Sequence, residues 1–251
     1  MKRLLFTALA LLLSMSLFAD ERGEEIMRKN KGLKKPNDVY SEAEMVLVDK
    51  KGGQKKRKVV MFSKESKEGT NSFTEFLEPA DVKGTKFLTI ARKGADEQRL
   101  YLPALKKTRL ISSTSKDGKF MGSDISYYDM EDRDFEDFDY KYLKDEKYGE
   151  KECYVIEATP KDKTSPYSRT IMWVSKSDYF TYKLEAYDRK DDKLFKTIVM
   201  VEVKIIDGVI IPSKTVVDNH KDGTKTLLSM SNMKINSGIK DSIFSVQNLE
   251  K

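Results

Sequence analysis

Imidazole and thiol side chains are scarce in this chain of 251 residues, which has one histidine, His220, and one cysteine, Cys153. Any Ser-His-Asp or Cys-His site would have to use His220, which lies in the turn-like stretch Asn219-His220-Lys221-Asp222-Gly223. A nucleophile needs its base held in a dry, oriented pocket. His220 therefore reads as a solvent-exposed turn residue, and no catalytic residue or enzyme activity is expected. No G-x-S-x-G elbow and no phosphate-cradling glycine motif occurs in the sequence. Cys153 stands in Cys153-Tyr154-Val155-Ile156 and reads as an inert core residue. One cysteine excludes an internal disulfide. A chain with no His/Cys cluster has no expected metal site, and no cofactor is implied.

Two charge clusters remain. The acidic one comprises Asp129, Glu131, Asp132, Asp134, Glu136, Asp137 and Asp139. A calcium loop needs a glycine-assisted sharp turn among its ligands, and none falls in this run. A solvated acidic loop is the preferred reading, with Phe135, Phe138, Tyr140 and Tyr142 packing one side of it down. The basic one, Lys50, Lys51, Lys55, Lys56, Arg57 and Lys58, flanks Gly52-Gly53 and reads as the shoulders of a solvated hairpin. Nucleic acid is not an expected partner, because that would call for a basic face with interleaved aromatics. Attraction to anionic lipid head groups is a second reading that charge alone does not decide.

The elements that must position these residues are mostly strands. From Val39 onward, short β-branched and aromatic runs are punctuated by Gly, Asn, Asp and Lys. Thr85 to Arg92 and Gln98 to Leu102 form a hairpin across Lys93-Gly94-Ala95-Asp96. Later turns at Tyr148-Gly149, Asp191-Asp192, Asp207-Gly208 and Asp222-Gly223 have the spacing of an antiparallel meander. Two stretches break the pattern. Asp20 to Leu33 has acids early and lysines late, which predicts an amphipathic helix ending near Gly32. Phe120 to Glu131 loses the period of two and predicts a short helix or an irregular plug.

Several strands are apolar on both faces, among them Val59-Val60-Met61-Phe62, Phe87-Leu88, Ile171-Met172-Trp173-Val174 and Ile198-Val199-Met200-Val201. A sheet wet on one side would alternate more strictly, so something apolar covers the second face, either the few helical segments or a ligand. The fold expected is mainly β: a single large curved antiparallel sheet, an incomplete β-barrel, with a few helices covering an apolar concave face, in one domain over residues 20–251. A fully side-chain-filled core remains the alternative to a lipid-sized cavity.

Family character enters at Arg99-Leu100-Tyr101-Leu102-Pro103-Ala104-Leu105-Lys106-Lys107-Thr108-Arg109 and at Phe120-Met121-Gly122-Ser123-Asp124-Ile125-Ser126-Tyr127. With Cys153 to Ala158 and Thr170 to Val174 downstream, these resemble the LolA-like outer-membrane lipoprotein-sorting protein family across nearly the whole chain after residue 19. The resemblance implies an apolar cavity that accepts acyl chains of lipids or lipoproteins, and an inner-membrane transporter of the resistance-nodulation-division (RND) type as a partner. Candidate cavity residues are Phe73, Phe76, Phe87, Leu88, Ile90, Leu100, Leu102, Met121, Tyr127, Met172, Trp173 and Val174. Candidate polar residues of the rim or lid are Arg99, Arg109, Ser123 and Asp124, with Asp124 open to pairing by either arginine. Gly122 offers a tight turn before Ser123 and Asp124 as helix-capping side chains, with Ser126 and Tyr127 in the first turn.

The N-terminus adds a location. Lys2 and Arg3 precede an apolar run from Leu4 to Leu13, and Ala19 is followed by Asp20-Glu21-Arg22. This is the layout of a secretory signal peptide over residues 1–19, cleaved after Ala19, and no second apolar segment long enough to span a membrane follows. Without Lys2 and Arg3 the formal net charge falls from +6 to +4. No cysteine stands at the cleavage site to carry a lipid anchor. The expected protein is thus a soluble periplasmic carrier of acyl chains, with a non-enzymatic protein-interaction module of the envelope as the alternative.

Overall fold

The computed structural model describes residues 21–251. The expected signal peptide and its cleavage site lie outside them. Thirteen strands follow in chain order: β1 Asp38–Val48, β2 Gln54–Ser66, β3 Gly69–Glu78, β4 Lys86–Ile90, β5 Glu97–Leu102, β6 Lys107–Leu110, β7 Phe138–Tyr148, β8 Lys151–Pro160, β9 Tyr167–Ser175, β10 Thr181–Asp188, β11 Leu194–Ile206, β12 Val209–Asn219 and β13 Thr224–Ile235. They form one antiparallel sheet in the order β6-β5-β4-β3-β2-β1-β13-β12-β11-β10-β9-β8-β7, which ends at β6 and β7 rather than closing into a barrel. Among the described residues the α-helices are α1, residues 21–31, and α2, Val246–Leu249. No described helix is long and apolar enough to cross a membrane. The expected mainly β, open antiparallel architecture is the one found.

The chain divides into two compact units, one of residues up to Leu33 with Asp134–Phe195, the other of Lys34–Arg133 with Lys196–Lys251. In the first, α1 has the charge order that the sequence predicts. Glu24 pairs with Arg28 at 3.5 Å and Glu25 with Lys29 at 2.8 Å, both at i,i+4. Its inner face buries Ile26 and Met27 against Tyr140, Ile156, Ala158, Met172 and Val174 of β7–β9. The other face of these strands buries Cys153, Val155, Ile171 and Trp173. Glu146 Oε1 accepts from the Trp173 indole N–H at 2.9 Å, and the Lys183 ammonium lies 3.9 Å from the indole centroid. Long charged side chains with apolar stems thus cover this face.

In the second unit the register fixes which side chains share a face, since directly opposed residues point the same way. Phe76 lies opposite Val59, Val59 opposite Ala43, and Phe87 opposite Leu100. This face is roofed by the connection from β6 to β7, a run of short 3-10 turns through Phe120–Gly122 and Tyr128–Met130. The irregular plug expected for Phe120 to Glu131 is therefore present. The opposite face carries Phe73, Leu88 and Ile90 and is covered by the C-terminal segment, with Phe244 and Leu249 buried against it. The two-sided apolar character of β2–β4 thus has a separate covering segment for each face.

Candidate functional site

The plug-side face of the second unit is the strongest candidate site. Its centre is closed. Phe120 is 1% exposed, and its ring centroid lies 4.9 Å from that of Phe87 and 5.7 Å from that of Phe76. Met121, Tyr127 and Met130 pack beside it with Leu102 and Met61.

Away from this centre the same face continues without a fully buried roof. Met45 lies opposite Leu228, Ala43 opposite Met230, Leu228 opposite Thr215, and Val217 opposite Ile198, with Met200 opposite Thr215. Leu47, Leu228, Met230, Ile198 and Met200 are all partly exposed. The strip is rich in methionine, whose unbranched, polarisable side chain adapts to partners of varied shape. No candidate cavity residue named from the sequence lies on β11 to β13. The signal for this part was the two-sided apolar run Ile198 to Val201.

The twelve candidate cavity residues separate into four groups. Phe76, Phe87, Leu100, Leu102, Met121 and Tyr127 come together beneath the plug. Phe73, Leu88 and Ile90 lie on the opposite face against the C-terminal segment. Met172 and Val174 pack in the α1 cluster of the first unit, and Trp173 on the other face of the same strands. Strand alternation explains the split: Phe73 and Phe76, or Phe87 and Leu88, occupy opposite sides of one strand.

The polar residues of the plug require a correction. Arg109 lies opposite Leu100, and Arg99 opposite Leu88, so the two arginines project from opposite faces. Arg99 donates to Glu97 at 2.6 Å rather than to Asp124. Asp124 is buried and pins the plug to the sheet through other partners. Thr224 Oγ1 donates to it at 2.5 Å, Thr226 Oγ1 at 3.0 Å, Asn219 Nδ2 at 3.1 Å and Lys119 Nζ at 3.1 Å. Ser123 donates to the Phe120 carbonyl at 2.7 Å. The expected cap is shifted by a few residues: Ser126 Oγ accepts from the Asp129 N–H at 3.1 Å, and Asp129 Oδ2 accepts from the Ser126 N–H at 2.8 Å. This is a reciprocal capping box on the turn that follows.

The acidic run is also less solvated than expected in its first half. Lys196, with a side chain 4% exposed, pairs with Asp129 at 2.8 Å. Glu131, 7% exposed, pairs with Lys116 and Arg133. Asp132 accepts from the Thr70 N–H at 3.0 Å. Asp96 accepts from the Asp132 and Arg92 N–H groups at 3.0 and 3.3 Å, and burial pushes its carboxyl up from the ordinary range. Lysines and backbone amides thus occupy these acids. Among the described residues no group of three His, Cys, Asp or Glu side chains is arranged to hold a metal. The second half, within the first unit, is exposed at Asp134, Glu136, Asp137 and Asp139, with Phe135 stacked on Tyr140 at 4.8 Å between centroids. His220 is exposed in its turn, with Nε2 2.8 Å from Thr197 Oγ1. Cys153 is fully buried, and burial raises its thiol pKa.

A long open antiparallel sheet with plug and terminal segments over its faces defines a class of sheet-scaffold proteins. Comparison narrows the class. A family model described as that of an uncharacterized protein matches residues 68–251. The chain is 34% identical to a domain from Vibrio parahaemolyticus assigned to outer membrane lipoprotein sorting, over 92% of this chain and 100% of that one, with a TM-score of 0.88. It is 31% identical to a DUF1329 family protein from Desulfovibrio piger, over 92% of this chain and 99% of that one, with a TM-score of 0.87. A LolA superfamily protein from Nitrosomonas europaea shares the fold, with a TM-score of 0.71 at 20% identity over 90% of this chain and 98% of that one. No curated protein matches. The chain belongs to the family of the outer membrane lipoprotein-sorting domain and the DUF1329 protein, and it shares its fold with the LolA superfamily.

Proposed function

We propose that the protein is a soluble periplasmic carrier, exported by its N-terminal segment, that binds acyl chains of lipids or lipoproteins on the plug-side face of the second unit. The observation that carries this reading is the partly exposed apolar strip of Leu47, Leu228, Met230, Ile198 and Met200, continuous in register with the buried centre beneath Phe120. About a dozen buried methylenes at ~0.8 kcal/mol each amount to ~10 kcal/mol before the cost of immobilisation. Millimolar affinity requires ~4 kcal/mol net and micromolar ~8 kcal/mol, so acyl burial drives binding without a specific polar contact and each further buried methylene tightens it. Specificity for head groups is correspondingly weak. The sorting role assigned to the Vibrio domain supports the same reading, and binding rather than catalysis is the activity.

Titration with a fluorescent fatty acid tests it. Ile198→Lys and Met200→Lys, which put a charge on the strip, weaken binding at least about tenfold. Val199→Lys, on the opposite face of the same strand, leaves it unchanged and controls for folding. Equal effects of all three, or no binding by the unaltered protein, would remove the reading. An RND-type inner-membrane transporter is the proposed delivery or acceptance partner, tested by co-elution with that transporter's periplasmic portion.

The filled centre around Phe120 favours a second reading, a non-enzymatic interaction module of the envelope whose interior is complete without ligand. It predicts that a disulfide tethering the plug to the sheet leaves every activity intact. The carrier reading predicts reduced acyl uptake in that tethered form.

A further inference from the structure

The turn between β1 and β2 concentrates positive charge that the fold does not neutralise. Lys50, Lys51 and Lys55 are exposed, and no acid lies within ion-pair distance of them among the described residues. Their neighbours differ: Lys56 faces Glu44 at 3.8 Å and Lys58 pairs with Glu78 at 3.0 Å. The acid nearest in sequence, Asp49, acts as a turn cap, its Oδ1 accepting from the N–H groups of Lys51 at 2.8 Å and Gly53 at 2.9 Å. Gly52, at φ +85°, supplies the left-handed residue that this tight turn requires.

The β12–β13 turn adjoins this one, with Lys50 Cβ 3.7 Å from where a Cβ on Gly223 would stand; Lys225 there pairs with Asp218 at 2.7 Å, so the free positive charge stays on the β1–β2 turn. Lys55 lies directly opposite Leu47, on the face of the apolar strip. Arg57, one pleat further in, lies opposite Met45, and its guanidinium donates to the Met121 carbonyl of the plug. The cationic turn therefore borders the strip and the plug within one unit.

We propose that this turn, centred on Lys50, Lys51 and Lys55, docks the protein onto an anionic phospholipid surface. The chemistry fits: compact, flexible ammonium groups attract phosphate head groups without requiring a fixed geometry, and a layer of anionic lipid draws in basic segments within a Debye length of ~8 Å. Docking at this edge places the apolar strip beside the bilayer from which an acyl chain would leave or to which it would return.

Co-sedimentation of the exported protein with vesicles tests the proposal. The protein binds phosphatidylcholine vesicles containing phosphatidylglycerol, does not bind phosphatidylcholine alone, and releases at high salt. Lys50→Gln, Lys51→Gln and Lys55→Gln together weaken binding about a hundredfold, near fivefold per lysine. A charge-matched variant at exposed lysines elsewhere, Lys93→Gln with Lys163→Gln and Lys240→Gln, retains most of it. No binding to the anionic vesicles, or equal losses in both variants, would overturn the proposal. It stands apart from the cargo. Vesicle binding without acyl uptake removes the carrier reading and keeps the docking surface, and uptake without vesicle binding does the reverse.

Discussion

Asp124 and Arg99 illustrate how differently charged residues of one motif behave. Asp124 is buried with four donors around it, whereas Arg99 holds a partly exposed ion pair with Glu97. Removing one member of a buried, hydrogen-bonded charge network is costly, and surface pairs are worth little. Asp124→Ala should lower stability by about 3 kcal/mol and Arg99→Ala by less than about 1 kcal/mol, read from urea denaturation. Acid sensitivity follows from two other aspartates. Burial works against the charge on Asp38, but hydrogen bonds from Ser237, Ile239 and Gly238 outweigh it and hold its carboxyl below the ordinary range. Lys119 holds Asp222 down in the same way. A depressed folded-state value gives stability that is present above the unfolded value of about 3.9 and lost as pH falls through the folded one. Asp96, raised by burial, has the opposite sign and gains stability on acidification. Stability should therefore drop below about pH 4, and Asp38→Asn should shrink that drop while costing about 2 kcal/mol at neutral pH. An unchanged acid limb in Asp38→Asn would contradict this assignment.

Among the elements, the plug and the C-terminal segment do for the second unit what helices do for many open sheets. Asp38 fixes the start of the C-terminal segment, accepting from the Ser237 and Gly238 N–H groups at 2.8 and 3.0 Å. Leu249, fully buried in the four-residue α2, closes it over Phe73 and Leu88. Leu249→Ala should cost about 2–5 kcal/mol and raise binding of a hydrophobic dye, because it uncovers that face. Phe120→Ala should cost about 3–5 kcal/mol yet enlarge the space beneath the plug and tighten acyl binding. A variant that loses both stability and acyl binding would count against the plug-side face as the site. Much at this scale was readable beforehand. The hairpin around Lys93 to Asp96, the helix before Gly32 and the break in period at Phe120 follow from turn chemistry, charge order and lost alternation. Which plug residue meets which sheet residue was not readable, since Asp124 finds Thr224 and Thr226 a hundred positions away. Pairing at that separation leaves no local trace.

For the whole molecule, the open thirteen-strand sheet was expected from the serial strands and from the resemblance carried by Arg99 to Arg109 and Phe120 to Tyr127. The candidate site was only half legible. Phe76, Phe87, Leu100 and Met121 do converge, whereas the strip on β11 to β13 shows in the sequence only through the two-sided apolar run Ile198 to Val201, which does not say what lies beside it. Its continuity appears only when the register aligns Met45, Leu228, Thr215 and Met200 across four strands. Conversely, Phe73 and Leu88 lie on the other face, against the C-terminal segment; an apolar run in sequence does not show which side each residue takes. The sheet's partly exposed apolar strip is the basis of the carrier account. Native mass spectrometry of the purified protein, followed by lipid extraction, tests that account most directly. The account predicts a bound population carrying acyl species, lost in Met200→Lys. A protein that carries no lipid or acyl species in either measurement, while remaining folded, would contradict it.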